Sequence, residues 1–114
     1  MLTPAKTRKA EKEIRAQLAP QLPKGFIPLQ GALRIEVRIF KTKPKSTPKK
    51  VKYPAKAPDL DNYLKLYLDA MNKLVFNDDA QICRIETSKE FCNGASAGAI
   101  ITIKEMEGDN GQGK

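Results

Sequence analysis

Apolar residues recur at two different spacings along this chain, and the spacings predict helices and strands in turn. Near the beginning, Thr3 and Pro4 have the form of an N-cap followed by proline at the first helical position. The next apolar residues lie four positions apart, in one stripe on an otherwise charged helix, at Ala10, Ile14 and Leu18. We expect this helix to end near Pro20 and a proline- and glycine-containing connector to follow over residues 20–31.

Apolar and charged residues alternate over residues 33–39, which predicts a half-buried strand. Residues 80–91 and 99–106 also have strand character, and Asn93 and Gly94 between them are a turn signal. We therefore expect the last two strands to be antiparallel partners in a loose hairpin.

A second helix is predicted between the first two strands, from residue 59 or 61 to residue 74. Its apolar face recurs at helical spacing, at Leu60, Leu64, Leu68, Met71 and Val75. Two helices and three strands in this order predict an α+β fold, a small mixed or antiparallel sheet packed on two helices. The domain should span residues 1–106, and residues 107–114 should form a disordered tail because they have little to bury.

The charges are divided unequally along the chain. Residues 1–57 carry 15 basic and 3 acidic residues, a net +12, whereas residues 58–114 carry 6 and 10, a net −4. A basic half beside an acidic half is typical of a polyanion-binding surface beside a metal site, although the basic residues could also serve only solubility. No apolar run approaches the ~20 residues that a membrane span requires, so we expect a cytosolic, nucleoid-associated protein with no membrane partner.

Lysines are concentrated in one segment, residues 41–57, which contains no acid. Prolines and mutually repelling lysines argue against a packed element, so we expect a mobile basic loop that binds a polyanion, with a plain solvated linker as the alternative. The candidate nucleic-acid contacts are seven lysines here and two on the first helix: Lys41, Lys43, Lys45, Lys49, Lys50, Lys52, Lys56, Lys9 and Lys12.

The chain has no histidine and two cysteines, Cys83 and Cys92. Two thiols without histidine cannot make a structural zinc site, and we expect them to be free rather than disulfide-bonded. Any catalysis must therefore use carboxylates and lysine, and nothing indicates an organic cofactor.

Four aspartates and a lysine surround the second helix: Asp59, Asp61, Lys65, Asp78 and Asp79. Each has a purely structural alternative, because aspartate caps helix starts, favours turns and pairs with lysine four residues away. If the strand after the helix returns Asp78 or Asp79 to the helix start, Asp59, Asp61 and Asp79 form an oxygen-rich site for Mg²⁺ or Mn²⁺. Lys65 would then stabilise negative charge in a transition state.

Three motifs run through this acidic half: Pro58-Asp59-Leu60-Asp61-Asn62-x-x-Lys65, Leu68-Asp69-Ala70-Met71-Asn72 and Asp78-Asp79-Ala80-Gln81-Ile82. Together they resemble the RusA family of Holliday junction resolvases, most strongly over residues 58–90. The resemblance implies a small homodimeric, Mg²⁺-dependent endodeoxyribonuclease of phage or prophage type that cuts branched, four-way DNA symmetrically. Carried over by position, the metal ligands are Asp59, Asp61 and Asp79, with Asp78 as the uncertain neighbour, and Lys65 is the catalytic cation.

One departure accompanies the resemblance. Family members usually have a strand and a loop before the first helix, whereas this sequence starts at that helix, so we expect a RusA-like sheet without that strand. Two further hypotheses stay open: a non-catalytic or impaired branched-DNA-binding protein of the same fold, and a structural or interaction domain.

Overall fold

The computed structural model describes residues 4–56, 58–92 and 97–106. Helix α1 spans Pro4–Leu18 and continues into a single 3₁₀ turn, Ala19–Gln21. Strand β1, Leu33–Thr42, is followed by a long loop and by helix α2, Leu60–Met71. A 3₁₀ turn at Asp79–Gln81 leads into β2, Ile82–Cys92, and the last strand is β3, Gly98–Glu105. The predicted α+β fold is confirmed, since the sheet is mixed and both helices lie in the same domain.

The strand order is β2-β1-β3, with β1 parallel to β2 and antiparallel to β3. The predicted pairing of the last two strands with each other is therefore wrong. Strand β1 separates them, because a strand–helix–strand crossover brings β2 parallel to one side of β1 and leaves the other side for β3. Asn93 and Gly94, the predicted turn, lie outside the described residues, as does the predicted tail at 107–114.

The core forms between one face of β1 and helix α2. Every second residue of β1 is almost completely buried, as the alternation predicted, at Leu33, Ile35, Val37 and Ile39. Met71 at the end of α2 and Phe76 just after it are also fully buried against them. Burying side chains of this size stabilises a fold by about 1.5–3 kcal/mol each, so this contact fixes α2 across the sheet.

Helix α1 packs on α2 and is joined to its end by Arg15. The Arg15 Nη1 donates to the carbonyl oxygens of Ala70 at 3.0 Å and Asn72 at 2.9 Å. Carbonyls at a helix C-terminus lack helical partners and carry partial negative charge, so a guanidinium there is favourable. The apolar stripe of α1 predicts Arg15 on the exposed face of the helix; it is instead half-buried and holds the two helices together.

The second face of the sheet is polar. Arg34 pairs with Glu86 at 2.8 Å, and Arg38 makes a two-pronged pair with Glu90 at 3.1 Å for each hydrogen bond. In the described part of the chain, no helix is long and apolar enough to cross a membrane.

Helix α2 runs opposite to β1 and β2. Near its start, Tyr63 accepts a hydrogen bond from Lys41, close to the end of β1. Just beyond its end, the amide of Leu29, which precedes β1, donates to the carbonyl of Val75 at 2.8 Å. The beginning of α2 therefore lies at the carboxyl ends of β1 and β2, and its end lies at their amino ends. This direction decides where the predicted site residues are found.

Candidate functional site

The segment directly before α2 is tied to the sheet by Lys89 of β2. The Lys89 Nζ donates to the carbonyl oxygens of Lys56 at 2.7 Å and Pro58 at 3.0 Å. Proline has no amide hydrogen of its own to anchor this stretch, so the lysine supplies an anchor that the backbone lacks. Asp59 follows immediately, and its position is consequently set from β2.

Asp59 occupies the N-cap position of α2 with an extended backbone, φ −67° and ψ 151°. Its carbonyl oxygen accepts the amides of Asn62 and Tyr63, at 3.1 and 3.3 Å, but its carboxylate makes no capping hydrogen bond. The Asp59 side chain therefore does not cap the helix, which was the purely structural alternative for this residue. Both Asp59 and Asp61, in the first turn, are exposed at the helix start, where carboxylates are favoured by the helix dipole and remain accessible to a ligand.

Asp78 does have a structural role. Its Oδ1 accepts the Ala80 amide at 2.9 Å, and its own amide donates to Gln81 Oε1 at 2.9 Å, which completes a capping box. The Gln81 side chain also donates to the carbonyls of Leu29 and Gly31, both at 2.9 Å. This network attaches the turn before β2 to the connector before β1.

Asp79 is the second, exposed aspartate of this turn. The Ala80 amide lowers the pKa of Asp78, which keeps that carboxylate ionised. The Asp78 carboxyl in turn raises the pKa of Asp79, with a smaller contribution from Asp69 near the end of α2. A carboxylate beside like charges is stabilised by a cation, so Asp79 stays a ligand candidate.

The predicted convergence of Asp59, Asp61 and Asp79 does not occur within one protomer. Helix α2 has 12 residues, a length of about 18 Å, and Asp79 follows its end whereas Asp59 precedes its start. Within residues 4–56, 58–92 and 97–106, no group of three or more acidic or thiol side chains is arranged to hold a metal ion. The reason is that β2 begins only after Asp79, so the strand leads away from the aspartate instead of returning it to the helix start.

Lys65 is exposed on α2, one helical turn after Asp61. The ion pairs among the described residues are those of Arg34 and Arg38, so the alternative in which Lys65 pairs with Asp61 and Asp69 is not realised there. Residues four apart lie on the same side of a helix, which places Lys65 on the side of Asp61.

Two of the seven candidate lysines before α2 are bound to the protein itself. Lys41 lies in β1 and donates to the Tyr63 hydroxyl, with its ammonium 5.1 Å from the centre of that ring. The Lys43 Nζ donates to the Val51 carbonyl at 2.7 Å and lies 5.4 Å from the Phe91 ring. Lys43 therefore connects two parts of the loop between β1 and α2. The remaining candidate lysines are exposed: Lys45, Lys49, Lys50, Lys52, Lys56, Lys9 and Lys12.

Sequence reasoning missed Lys89, although a signal was present. Lys89 pairs in register with the core residue Ile39 and lies on the same face of β2 as Ile85, Thr87 and Phe91, the face that α2 covers. A lysine on the inner face of a strand requires polar partners, because a buried ammonium without them is costly. The cysteines Cys83 and Cys92 are free thiols, as expected.

Comparison with known proteins identifies a family for this chain. Residues 1–104 match the protein family described as Endodeoxyribonuclease RusA. The chain is also 29% identical over 99 residues to the "Uncharacterized protein YqaN" of Bacillus subtilis (strain 168), an alignment that covers 78% of this chain and 68% of that protein. No solved structure matches the chain significantly. The family consists of nucleases that bind branched DNA and generally depend on a divalent metal. With nearly the whole chain matched, this protein belongs to the RusA family of Holliday junction endodeoxyribonucleases.

Proposed function

We propose that this chain is a Mg²⁺-dependent, structure-selective endodeoxyribonuclease that resolves four-way DNA junctions by paired, symmetric phosphodiester hydrolysis. The observation that carries the proposal is the Asp59 carboxylate, which is exposed at the start of α2 and takes no part in capping it. An aspartate at this position that does not cap the helix is available for a ligand. Its anchoring by Lys89 through Pro58 supports the same conclusion, because a ligand set must be held in place.

The proposed metal ligands are Asp59, Asp61 and Asp79. Carboxylate oxygens are the ligands that Mg²⁺ prefers, so the chemistry of this donor set fits the ion. Because Asp79 lies at the opposite end of α2 from the other two, the full set requires two copies of the chain. We therefore place Asp59 and Asp61 of one subunit beside Asp79 of the partner subunit. A two-fold axis repeats this arrangement, and the homodimer then has two sites, one for each strand that is cut.

A divalent ion held by this ligand set would supply Lewis-acid chemistry to the hydrolysis of the phosphodiester. Asp59 and Asp61 would hold the ion at the helix start. Lys65, one turn further along α2, places its ammonium where negative charge develops on the phosphate, which lowers the barrier electrostatically. The expected products carry a 5′-phosphate and a 3′-hydroxyl.

The exposed lysines are proposed to bind the DNA backbone. Those of the basic loop precede Asp59 in the chain, and Lys9 and Lys12 are exposed on α1. Contacts of this kind give affinity without sequence information and weaken as salt rises. Selectivity for a junction then depends on the spacing of the two sites in the dimer.

Cleavage of a labelled four-way junction tests the proposal. We expect Asp61→Asn to lower the cleavage rate at least a hundredfold while junction binding in Ca²⁺ stays intact, whereas Glu13→Gln, an exposed charge change on α1, leaves the rate unchanged. Equal cleavage by Asp61→Asn and the native chain would remove these aspartates from the mechanism.

A second candidate function is junction binding without hydrolysis. It is favoured by the observation that, among the described residues, a single protomer does not gather the three aspartates. Binding by the native chain with no cleavage in either Mg²⁺ or Mn²⁺, at protein concentrations where the dimer is present, would establish it.

A further inference from the structure

We infer that the free edge of β2 pairs antiparallel with β2 of a second copy, with the two-fold axis at Ile85. The inference rests on the proposed function, which needs two copies, and it assigns the surface that joins them. Within residues 4–56, 58–92 and 97–106, β2 is one edge of a three-stranded sheet. Edge strands carry a row of backbone donors and acceptors ready to pair with another strand.

Exposure along β2 identifies its first half as the joining part. Residues 83–86 are exposed, whereas residues 87–92 are half-buried. Ile85 aligns with the fully buried Ile35 and so lies on the face that α2 covers, yet it is 40% exposed. A second β2 alongside would cover this side chain with its own Ile85, because directly opposed residues in an antiparallel pair have Cβ atoms about 4.5–5.5 Å apart.

The charges on either side of Ile85 are self-complementary. In an antiparallel pair centred on Ile85, Arg84 of each copy lies opposite Glu86 of the other. Opposite charges at such positions are stabilising and like charges are destabilising. Glu86 already accepts from Arg34 of its own sheet, so Arg84 from the second copy adds a further cation to the same carboxylate. The two-fold axis therefore produces two such pairs of opposite charges.

The same register accounts for the separation of the aspartates. Because the two strands run in opposite directions, the turn that contains Asp79, just before β2, lies toward the carboxyl end of the partner's β2, where Lys89 of the partner subunit is found. In each copy Lys89 anchors Pro58, which precedes Asp59. Pairing through β2 thus carries Asp79 from the end of its own α2 toward the beginning of the partner's α2. Pairing through β3, which lies on the other side of β1, would not bring Asp79 close to the beginning of the partner's α2.

Charge exchange tests the surface. Arg84→Glu alone and Glu86→Arg alone each place like charges opposite one another, and each is expected to weaken the homodimer at least tenfold in sedimentation equilibrium. An equimolar mixture of the two variants restores both opposite-charge pairs and is expected to dimerise like the native chain. Lys104→Glu on β3 serves as the matched control and should leave the dissociation constant unchanged.

Crosslinking tests the register directly. In a background with Cys83→Ser and Cys92→Ser, Ile85→Cys is expected to give a disulfide-linked dimer on mild oxidation, whereas Ile100→Cys on the β3 edge is not. A monomeric native chain, a dimer unaffected by the charge changes, or equally efficient crosslinking of the Ile100→Cys and Ile85→Cys variants would each overturn the inference. Junction cleavage measured on the same samples separates the two proposals: an active dimer that the Ile85→Cys variant fails to crosslink retains the proposed function and removes only this interface.

Discussion

The ammonium of Lys89 lies 3.0 Å from the carbonyl oxygen of Pro58, and this hydrogen bond connects β2 to the residue that precedes Asp59. A second bond to Lys56, at 2.7 Å, fixes the same segment from the same nitrogen. The relationship makes Lys89 a positioning residue for the proposed ligands. It acts through the backbone and does not itself need to contact DNA.

Lys89→Met is expected to weaken Mn²⁺ binding about tenfold and to lower kcat with little change in KM, because the lysines proposed to bind DNA are untouched. Lys89→Arg retains a donor and should recover part of the loss, whereas a residue with only a packing role would not discriminate between these two replacements. Metal titration followed by manganese electron paramagnetic resonance measures the first effect, and junction cleavage measures the second. The exposed Lys104→Met provides the control, and an equal effect there would remove the positioning role.

Salt dependence of junction binding should distinguish exposed lysines from those bound to the protein. If Lys49 contacts a phosphate, Lys49→Gln lowers the slope of log affinity against log salt by about 0.9, the contribution of one duplex phosphate contact. Lys43 instead donates to Val51, so Lys43→Gln should lower affinity by loosening the loop while changing the slope less. Fluorescence anisotropy over a salt series measures both, and equal slopes for the two variants would contradict the distinction.

Arg15 is expected to contribute to stability rather than to DNA affinity. Removing its two hydrogen bonds to the end of α2 by Arg15→Met should lower the free energy of unfolding by about 1–3 kcal/mol, since buried acceptors that lose a charged donor remain unsatisfied. Urea denaturation measures this. The exposed Lys12→Met, on the same helix, is the control and should change stability by less than about 0.5 kcal/mol.

The pH dependence of stability should reflect Glu90. Hydrogen bonds from Arg38, then from Ser88, lower the pKa of Glu90 in the folded protein. A carboxyl group with a lowered folded pKa stabilises the fold above its unfolded pKa of about 4.3. That stabilisation is lost as the pH falls through the lowered folded pKa.

Glu90→Gln should consequently lower Tm at pH 7, and the difference from the native chain should shrink as the solution is acidified below pH ~4. Thermal unfolding by circular dichroism at several pH values measures this difference. A difference in Tm that stays constant at the lowest pH measured would show that ionisation of Glu90 is not its source.

The sequence by itself determined the elements whose signals are local. Helix α1 begins at the expected proline, β1 has the expected alternation of buried and half-buried residues, and α2 covers most of the expected range. Neighbouring residues dictate these features, because the periodicity of side chains along a helix or strand depends only on local geometry. The placement of Asp59 and Asp61 together at a helix start could be predicted for the same reason.

Only the tertiary structure decided which strands pair and where the ends of α2 lie. A strand's pattern does not specify its neighbour, so β1 could separate the last two strands although the sequence between them suggested a hairpin. The direction of α2 across the sheet placed Asp79 at the opposite end of the helix from Asp59. The same packing brought Arg15 and Lys89 into hydrogen bonds with backbone carbonyls of distant segments. These contacts join residues more than thirty positions apart, and they form only when the core of β1 and α2 closes, which local preferences along the chain do not describe.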